Sequence, residues 1–339
     1  MSKSFQAFLA NNGWVGIFLT FLLSAGACAE QGGDFIPSTA SSPVIPTTTS
    51  MVIEDRESKS GLHNALESRK QASEVCRKIA SKLSSVKLAD CQKKEIRTSG
   101  GMSVDGVPII LQEYPPIEGK ESKGRVLILG GIHGDELSSI SIVFNWMRTL
   151  DKYHSGMFHW HVVPLVNPDG LFQKTPQRMN KNGVDLNRNF PTDNWHKESN
   201  DYWHRTNKNP RRYPGPSPLS EPESKWLAKE ISEFKPDAIV SIHAPYGILD
   251  FDGPRSAPKR LGHLHLNLLG TYPGSLGNYA GVHQEIPVVT IELPFAGIMP
   301  TERQMNQIWT DLIKWLSTNV NDKPAVMQVM NEKAQTDPS

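Results

Sequence analysis

The stretch Val126-Leu127-Ile128-Leu129-Gly130-Gly131-Ile132-His133-Gly134-Asp135-Glu136-Leu137 decides how the chain is read. Residues 126–129 are a short apolar run of the kind a parallel strand buried on both faces needs. Gly130-Gly131 ends the run and frees the backbone to turn. His133 and Glu136 follow, a nitrogen and a carboxylate three residues apart at a strand end, so both can converge on one metal ion. A His-x-x-Glu pair also arises by chance, and a solvated histidine beside a helix-starting glutamate is the simpler account of it taken alone.

The flanking sequence alternates between β-like and helical patterns. Residues 107–112, 158–163, 238–242 and 288–291 read as further strands. Residues 137–150 read as a helix with Ile140, Val143, Phe144 and Met147 on one face, and 308–316 as another. Ser220-Glu221-Pro222-Glu223 has the form of a capping box that starts a helix ending at Phe234, with proline in the first turn. Such alternation predicts an α/β fold, a mixed, mostly parallel central sheet with helices on both faces in three layers. Ligands of such sheets sit beyond the carboxyl ends of the strands. That rule gathers His133, Glu136, His243 and Glu292 at one edge. Two histidines and a glutamate with an open fourth position form a catalytic zinc arrangement, and Glu292 adds a carboxylate able to take a proton.

Composition bounds the rest. The chain has 339 residues, 38% hydrophobic and 21% charged, with a formal net charge of +1. These values are ordinary for a globular protein, and the lack of a basic run argues against nucleic acid as a partner. At the N-terminus Lys3 precedes a nearly all-apolar stretch at 14–25, and Ala25-Gly26-Ala27 supplies small residues before Cys28. Residues 1–27 therefore have the layout of a secretory signal peptide, with an apolar core short for a membrane span. Small residues before Cys28 also match lipid attachment, although Ala25 stands where a large aliphatic residue is usual. Free export and a lipid anchor at Cys28 both stay open, and either makes the protein periplasmic.

Residues 28–60 read as a flexible tether rich in Gly, Pro, Ser and Thr, and 31–50 are expected to be disordered. Residues 61–90 form an N-terminal helical segment, with Leu62, Leu66, Ala72, Val75, Ile79 and Leu83 near helical spacing. Cys76 and Cys91 are either free thiols or a disulfide, which at this loop size is worth about 3 kcal/mol in the chain-entropy model. Residues 91–320 make the catalytic domain and 321–339 a polar tail. No motif speaks to oligomeric state.

The chain resembles the zinc carboxypeptidase (metallocarboxypeptidase) family. The resemblance rests on His133-Gly134-Asp135-Glu136, Asn167-Pro168-Asp169-Gly170, Asp185-Leu186-Asn187-Arg188-Asn189-Phe190, Ser241-Ile242-His243 and Thr290-Ile291-Glu292, in the family's order. It implies one Zn²⁺ per chain held by His133, Glu136 and His243, with Glu292 as general base. It further implies Asn187 and Arg188 as the clamp on a substrate carboxylate and Arg178 as a holder of the oxyanion. Asn167 to Gly170 reads as a structural turn.

Within the family, Asn182 to Pro191, Ser220-Glu221-Pro222-Glu223, His243-Ala244-Pro245, Asp250-Phe251-Asp252-Gly253-Pro254 and the run from Tyr272 to Gly281 resemble the murein peptide amidases. That resemblance implies hydrolysis of the γ-D-glutamyl-meso-diaminopimelate bond of murein peptides. It offers Tyr279 as the flexible substrate tyrosine, with Tyr246 as its competitor and a packing role as the other reading of Tyr279. Asp250 and Asp252 either meet an amino group of diaminopimelate or cap a turn. Two rival functions are a carboxypeptidase acting on ordinary peptide C-termini and a non-catalytic zinc protein that binds wall peptides.

Overall fold

The structure, a computed structural model, describes residues 49–92 and 95–320. The expected signal peptide, Cys28, the tether up to residue 48 and the tail at 321–339 lie outside the described residues. The chain divides into residues 1–51 and 52–339, and the second unit contains the sheet and the site.

Helix α1 (Thr49–Lys82) leads into strands β1 (Ile96–Met102), β2 (Pro108–Tyr114) and β3 (Arg125–Leu129). Then come α2 (Leu137–Tyr153), β4 (His159–Val163), α3 (Pro168–Phe172), α4 (Trp195–Arg205) and α5 (Pro222–Phe234). β5 (Ala238–His243), β6 (Ile248–Asp252), β7 (Arg260–Leu261), β8 (Leu264–His265), β9 (Val288–Glu292) and α6 (Glu302–Asn319) complete the described order.

Seven strands form one sheet in the order β1-β2-β4-β3-β5-β9-β6. The central strands β4, β3, β5 and β9 pair in parallel. β1, β2 and β6 pair antiparallel with their neighbours. The expected mixed sheet is thus parallel where it carries the site and antiparallel at both edges.

Alternate residues of the central strands enter two cores. Val126, Ile128, Val240 and Ile242 pack with α1, α2 and α6, whereas Leu127, Leu129 and Ile239 pack with Trp226, Leu227 and Ile231 of α5. A strand covered on both faces must be apolar throughout, which is why residues 126–129 show no alternation.

Several expectations need correcting. Helix α1 begins at Thr49, well before Gly61, because one glycine costs a helix interior only about 1 kcal/mol against alanine. Ala72, Val75, Cys76, Ile79 and Leu83 bury one face of it, while Leu62 and Leu66 stay exposed. Of the two states expected for Cys76 and Cys91, the structure has the disulfide, with a Cα separation of 5.2 Å. Strand β1 escaped notice because Ile96-Arg97-Thr98-Ser99-Gly100-Gly101-Met102 is an edge strand with no apolar run. Asp250 and Asp252 cap no turn; they lie on β6, opposite Thr290 and Val288 of β9.

The capping box at Ser220-Glu221-Pro222-Glu223 does not form. The N-cap of α5 is Glu221, which makes no side-chain cap bond, although Pro222 sits in the first turn as expected. Ser220 Oγ donates to Glu221 Oε1 instead, and Glu223 accepts from Val104 N–H and Asn180 Nδ2. A true capping box, between Thr301 and Gln304, starts α6.

Glu223 is fully buried, and burial pushes its carboxyl up to about 7 from the ordinary 4.5, against the pull of Asn180. An acid raised in the folded state favours folding below its unfolded value and loses that contribution as pH rises through the folded value. Stability contributed by Glu223 therefore falls between about pH 4.5 and 7. Glu223→Gln should raise the thermal midpoint relative to wild type at pH 8 and gain little at pH 5. An equal shift at both pH values in thermal denaturation would contradict this account.

Candidate active site

Parallel register brings the site together. His243 and Glu292 end β5 and β9 and are paired directly across the ladder. His133 and Glu136 follow β3, the other neighbour of β5. The turn between them is held from α3. Val166 N–H donates to Gly130 O, Asn167 N–H to Gly131 O, and Asn167 Nδ2 to Ile132 O and Arg178 O. The Asn167-Pro168-Asp169-Gly170 motif is therefore the frame of the histidine turn. Gly131 has φ +58°, and a Cβ there would meet Ile140 and Leu165 at 2.7 Å, so glycine is required.

His133 Nδ1 lies 2.7 Å from Glu136 Oε1 and 3.3 Å from His243 Nδ1, and His243 Nδ1 lies 3.1 Å from Glu136 Oε2. All three residues are buried, and their ligand atoms lie within 4.8 Å of one another. The remaining ring nitrogens are occupied: His133 Nε2 is 3.1 Å from Asp185 Oδ1 and His243 Nε2 is 3.0 Å from Ser241 Oγ. Each imidazole thus turns Nδ1 toward the common point, the arrangement a metal-ligating histidine needs. Glu136 is the N-cap residue of α2 but makes no cap bond, since its carboxylate is committed to the histidines and to Ala244 N–H.

The charges compensate one another. Burial opposes ionisation of Glu136, yet the His133 and His243 rings hold it well below the usual carboxylate range. Asp185 is likewise held low, against burial, by Arg178 and His133. Burial lowers Arg178, but Asp185 and Glu136 outweigh it and raise the guanidinium above its ordinary value. His243 is raised by Glu136 despite burial. Glu292 is raised mainly by burial, with Glu136 adding and His243 opposing.

A cavity of about 370 Å³ opens over this cluster and takes in Arg178, Asn187, Arg188, Tyr246, Asp250, Asp252 and Glu292. Three buried polar atoms of its lining lack a hydrogen-bond partner, Glu292 Oε2, Arg188 Nε and Asp135 Oδ1. Arg188 lies with its guanidinium 4.6 Å from the Tyr272 ring centre and 5.4 Å from that of Tyr202. Asn187 Oδ1 accepts from Leu276 N–H, which fixes the amide with its NH₂ as the free donor group. Gly274, at φ +70°, packs against the Arg188 carbonyl so closely that a Cβ would stand 2.0 Å from it.

Of the residues expected in the site, Tyr279 is the one the structure sets apart. It stacks on Phe190 at 5.4 Å and is absent from the cavity wall, which holds the exposed Tyr246 instead. The reason is the π-helix Gly277–His283, which packs Tyr279 onto the α5-side core. Asp185, Ser241, Tyr272 and Tyr202 went unassigned in sequence. Ser241 carried a signal, since it stands two residues before His243 and shares its strand face. Asp185 reaches His133 from far along the chain, and nothing local marks that contact.

The family model for zinc carboxypeptidases matches residues 95–249. Murein peptide amidase A of Vibrio campbellii is 34% identical over 205 residues, which cover 58% of this chain and 79% of that protein. Murein peptide amidase A of Escherichia coli K12 is 37% identical over 153 residues, 44% of this chain and 60% of that protein. Thrombin activatable fibrinolysis inhibitor, a solved structure 20% identical, overlays with a TM-score of 0.52 across 66% of this chain and 68% of its own, and so shares the fold. This chain belongs to the zinc carboxypeptidase family and is a hydrolase.

The donor set suits zinc: two imidazoles with outward nitrogens anchored, one carboxylate and an open side facing the cavity. Asp185→Asn keeps the shape but loses the charge behind His133. Such second-rank partners typically carry about 10–100-fold in metal affinity. Competition with a chromophoric chelator should show a zinc affinity lower by that order, and a wild-type value would remove Asp185 from this role.

Proposed function

We propose that the chain is an exported zinc-dependent amidase that hydrolyses the γ-D-glutamyl-meso-diaminopimelate bond of murein peptides. The observation that carries the reading is the composition of one cavity. A desolvated guanidinium, a desolvated carboxylate and an aspartate pair share it with the His133, Glu136 and His243 cluster. Murein peptide amidase A relatives support the substrate class. Export rests on the apolar stretch at 14–25 ahead of Cys28.

His133, Glu136 and His243 would hold the zinc ion, which would supply the Lewis acidity that lowers the pKa of a bound water from about 15.7 toward 7. Glu292 Oε2, buried and without a partner, accepts the proton of the attacking water and returns it to the leaving amine. A carboxyl raised by burial suits that exchange, because its carboxylate takes a proton more readily than an ordinary one. The planar fork of Arg188 bonds both oxygens of a substrate carboxylate, with the Asn187 NH₂ beside it. Arg178, oriented by Asp185 at 3.0 Å, faces the growing charge on the carbonyl oxygen.

Asp250 and Asp252 stand two residues apart on one face of β6 and line the same cavity. Burial and the neighbouring Asp250 push Asp252 up to about 6. A cationic group from the substrate relieves both costs, and the distal amino group of diaminopimelate is such a group. A C-terminal lysine presents a similar cation, which keeps a carboxypeptidase acting on ordinary peptides as the second reading.

Purified enzyme should release diaminopimelate from L-alanyl-γ-D-glutamyl-meso-diaminopimelate, and a chelator should stop it. Faster cleavage of blocked dipeptides ending in lysine would favour the second reading. Glu292→Gln should keep zinc and lower kcat by about 10²–10⁴-fold, the usual contribution of a general base. His243→Ala should lose the metal, and equal zinc loss in both variants would contradict the division of roles. Asp252→Asn should raise KM for the tripeptide several-fold with kcat nearly unchanged. An unaltered KM would detach the aspartate pair from substrate binding.

A further inference from the structure

A second group of metal-ligating side chains lies at the other end of the sheet. His159 and His161 are alternate residues of β4 and share a face, and Glu113 of β2 is paired across the ladder with His161. His159 opens β4 opposite Arg125, the first residue of β3. The group therefore sits at the amino ends of the parallel strands, away from His133 and His243 at the carboxyl ends. Its side chains reach solvent through a cleft that also takes in Glu230, Glu233 and Phe234 of α5.

The donor atoms converge. His159 Nε2 lies 2.8 Å and His161 Nε2 3.8 Å from Glu113 Oε1, and one ligand atom from each residue falls within 4.8 Å of the others. Ligands at about 2.1 Å from a tetrahedral zinc stand about 3.4 Å apart, so both separations need to change by only about half an ångström. His161 Nδ1 meets Glu230 Oε1 at 2.5 Å. With Nδ1 engaged there, Nε2 is the ring nitrogen left to face Glu113 Oε1. Carboxylate, imidazole and metal in line is the usual support of a zinc-bound histidine. Arg97 Nη2 donates to Glu113 Oε2 at 3.0 Å, which orients the carboxylate and leaves Oε1 to the histidines. The rings are held as well: His161 stacks on Phe234 at 3.7 Å, and His159 meets the same ring edge-on at 5.1 Å.

From this geometry we propose a second divalent transition-metal site, formed by His159, His161 and Glu113, distinct from the catalytic cluster. Two imidazoles and a carboxylate select zinc or its neighbours over magnesium and calcium. The ion clips β2 to β4 and, through Glu230, ties the sheet to α5. Its partial exposure makes it exchangeable, and its position at the opposite end of the strands makes it structural.

The test is calorimetric titration of the full chain with Zn²⁺, beginning from protein already loaded at the catalytic cluster. Wild type should take up a further equivalent, accompanied by a higher thermal midpoint. His161→Ala and Glu113→Gln should take up none, show no zinc-dependent rise in midpoint and retain the activity of the loaded enzyme. A wild-type protein that binds no further equivalent overturns the proposal, as does uptake by His161→Ala equal to wild type. Should His161→Ala fail to fold, His159→Gln replaces it, and the wild-type titration decides independently of any variant.

Discussion

Parallel pairing of β5 between β3 and β9 is the constraint on which the site depends. It sets His243 directly beside Glu292 and ends β3 one turn short of His133 and Glu136. A slip of one residue in either pairing would send these side chains to the opposite face of the sheet, because the side-chain period of a strand is two. The two cores hold the register, since alternate residues of β3 and β5 are claimed by helices on opposite sides. Packing of apolar side chains, remote from any chemistry, therefore decides where the polar ones meet.

Burying so many ionisable groups is costly unless each finds a partner. Glu136, His133, Asp185 and Arg178 form an unbroken chain of contacts of 2.7 to 3.1 Å. Carboxylates alternate with nitrogen-bearing groups along it. Glu292 and Arg188 depart from that economy, each keeping a buried polar atom unpartnered. Natural interiors leave few such atoms, and those left commonly serve function. Glu292 and Arg188 line one cavity, so their free hydrogen-bonding capacity faces the same space.

The cluster at His159, His161 and Glu113 follows the same physical logic with a different result. There too a carboxylate anchors the outward nitrogen of an imidazole, and there too two imidazole nitrogens turn toward one carboxylate. The difference is location. Among the described residues the group opens at the amino ends of the strands onto a cleft beside the C-terminal end of α5, whereas the His133, Glu136 and His243 cluster opens onto a cavity.

Local chemistry written into the sequence determined a good deal. Residues 126–129 had to be a strand buried on both faces, because they are apolar without alternation and end at two glycines. The strands carrying His243 and Glu292, and the helix after Leu137, followed from the same kinds of local pattern. Motif order was sufficient to gather His133, Glu136, His243 and Glu292. Tertiary structure alone decided the rest, since the remaining contacts join segments far apart in the chain. Asp185 behind His133 and Tyr272 over Arg188 leave no local trace, and Glu221 and Glu223 gave up a capping box to serve Asn180 and Val104. Strands β1 and β6 were illegible because edge strands need no continuous apolar run. Tyr279, whose surroundings look like a substrate loop, turned to Phe190 because burying a ring against a core is favoured when that core lies within reach.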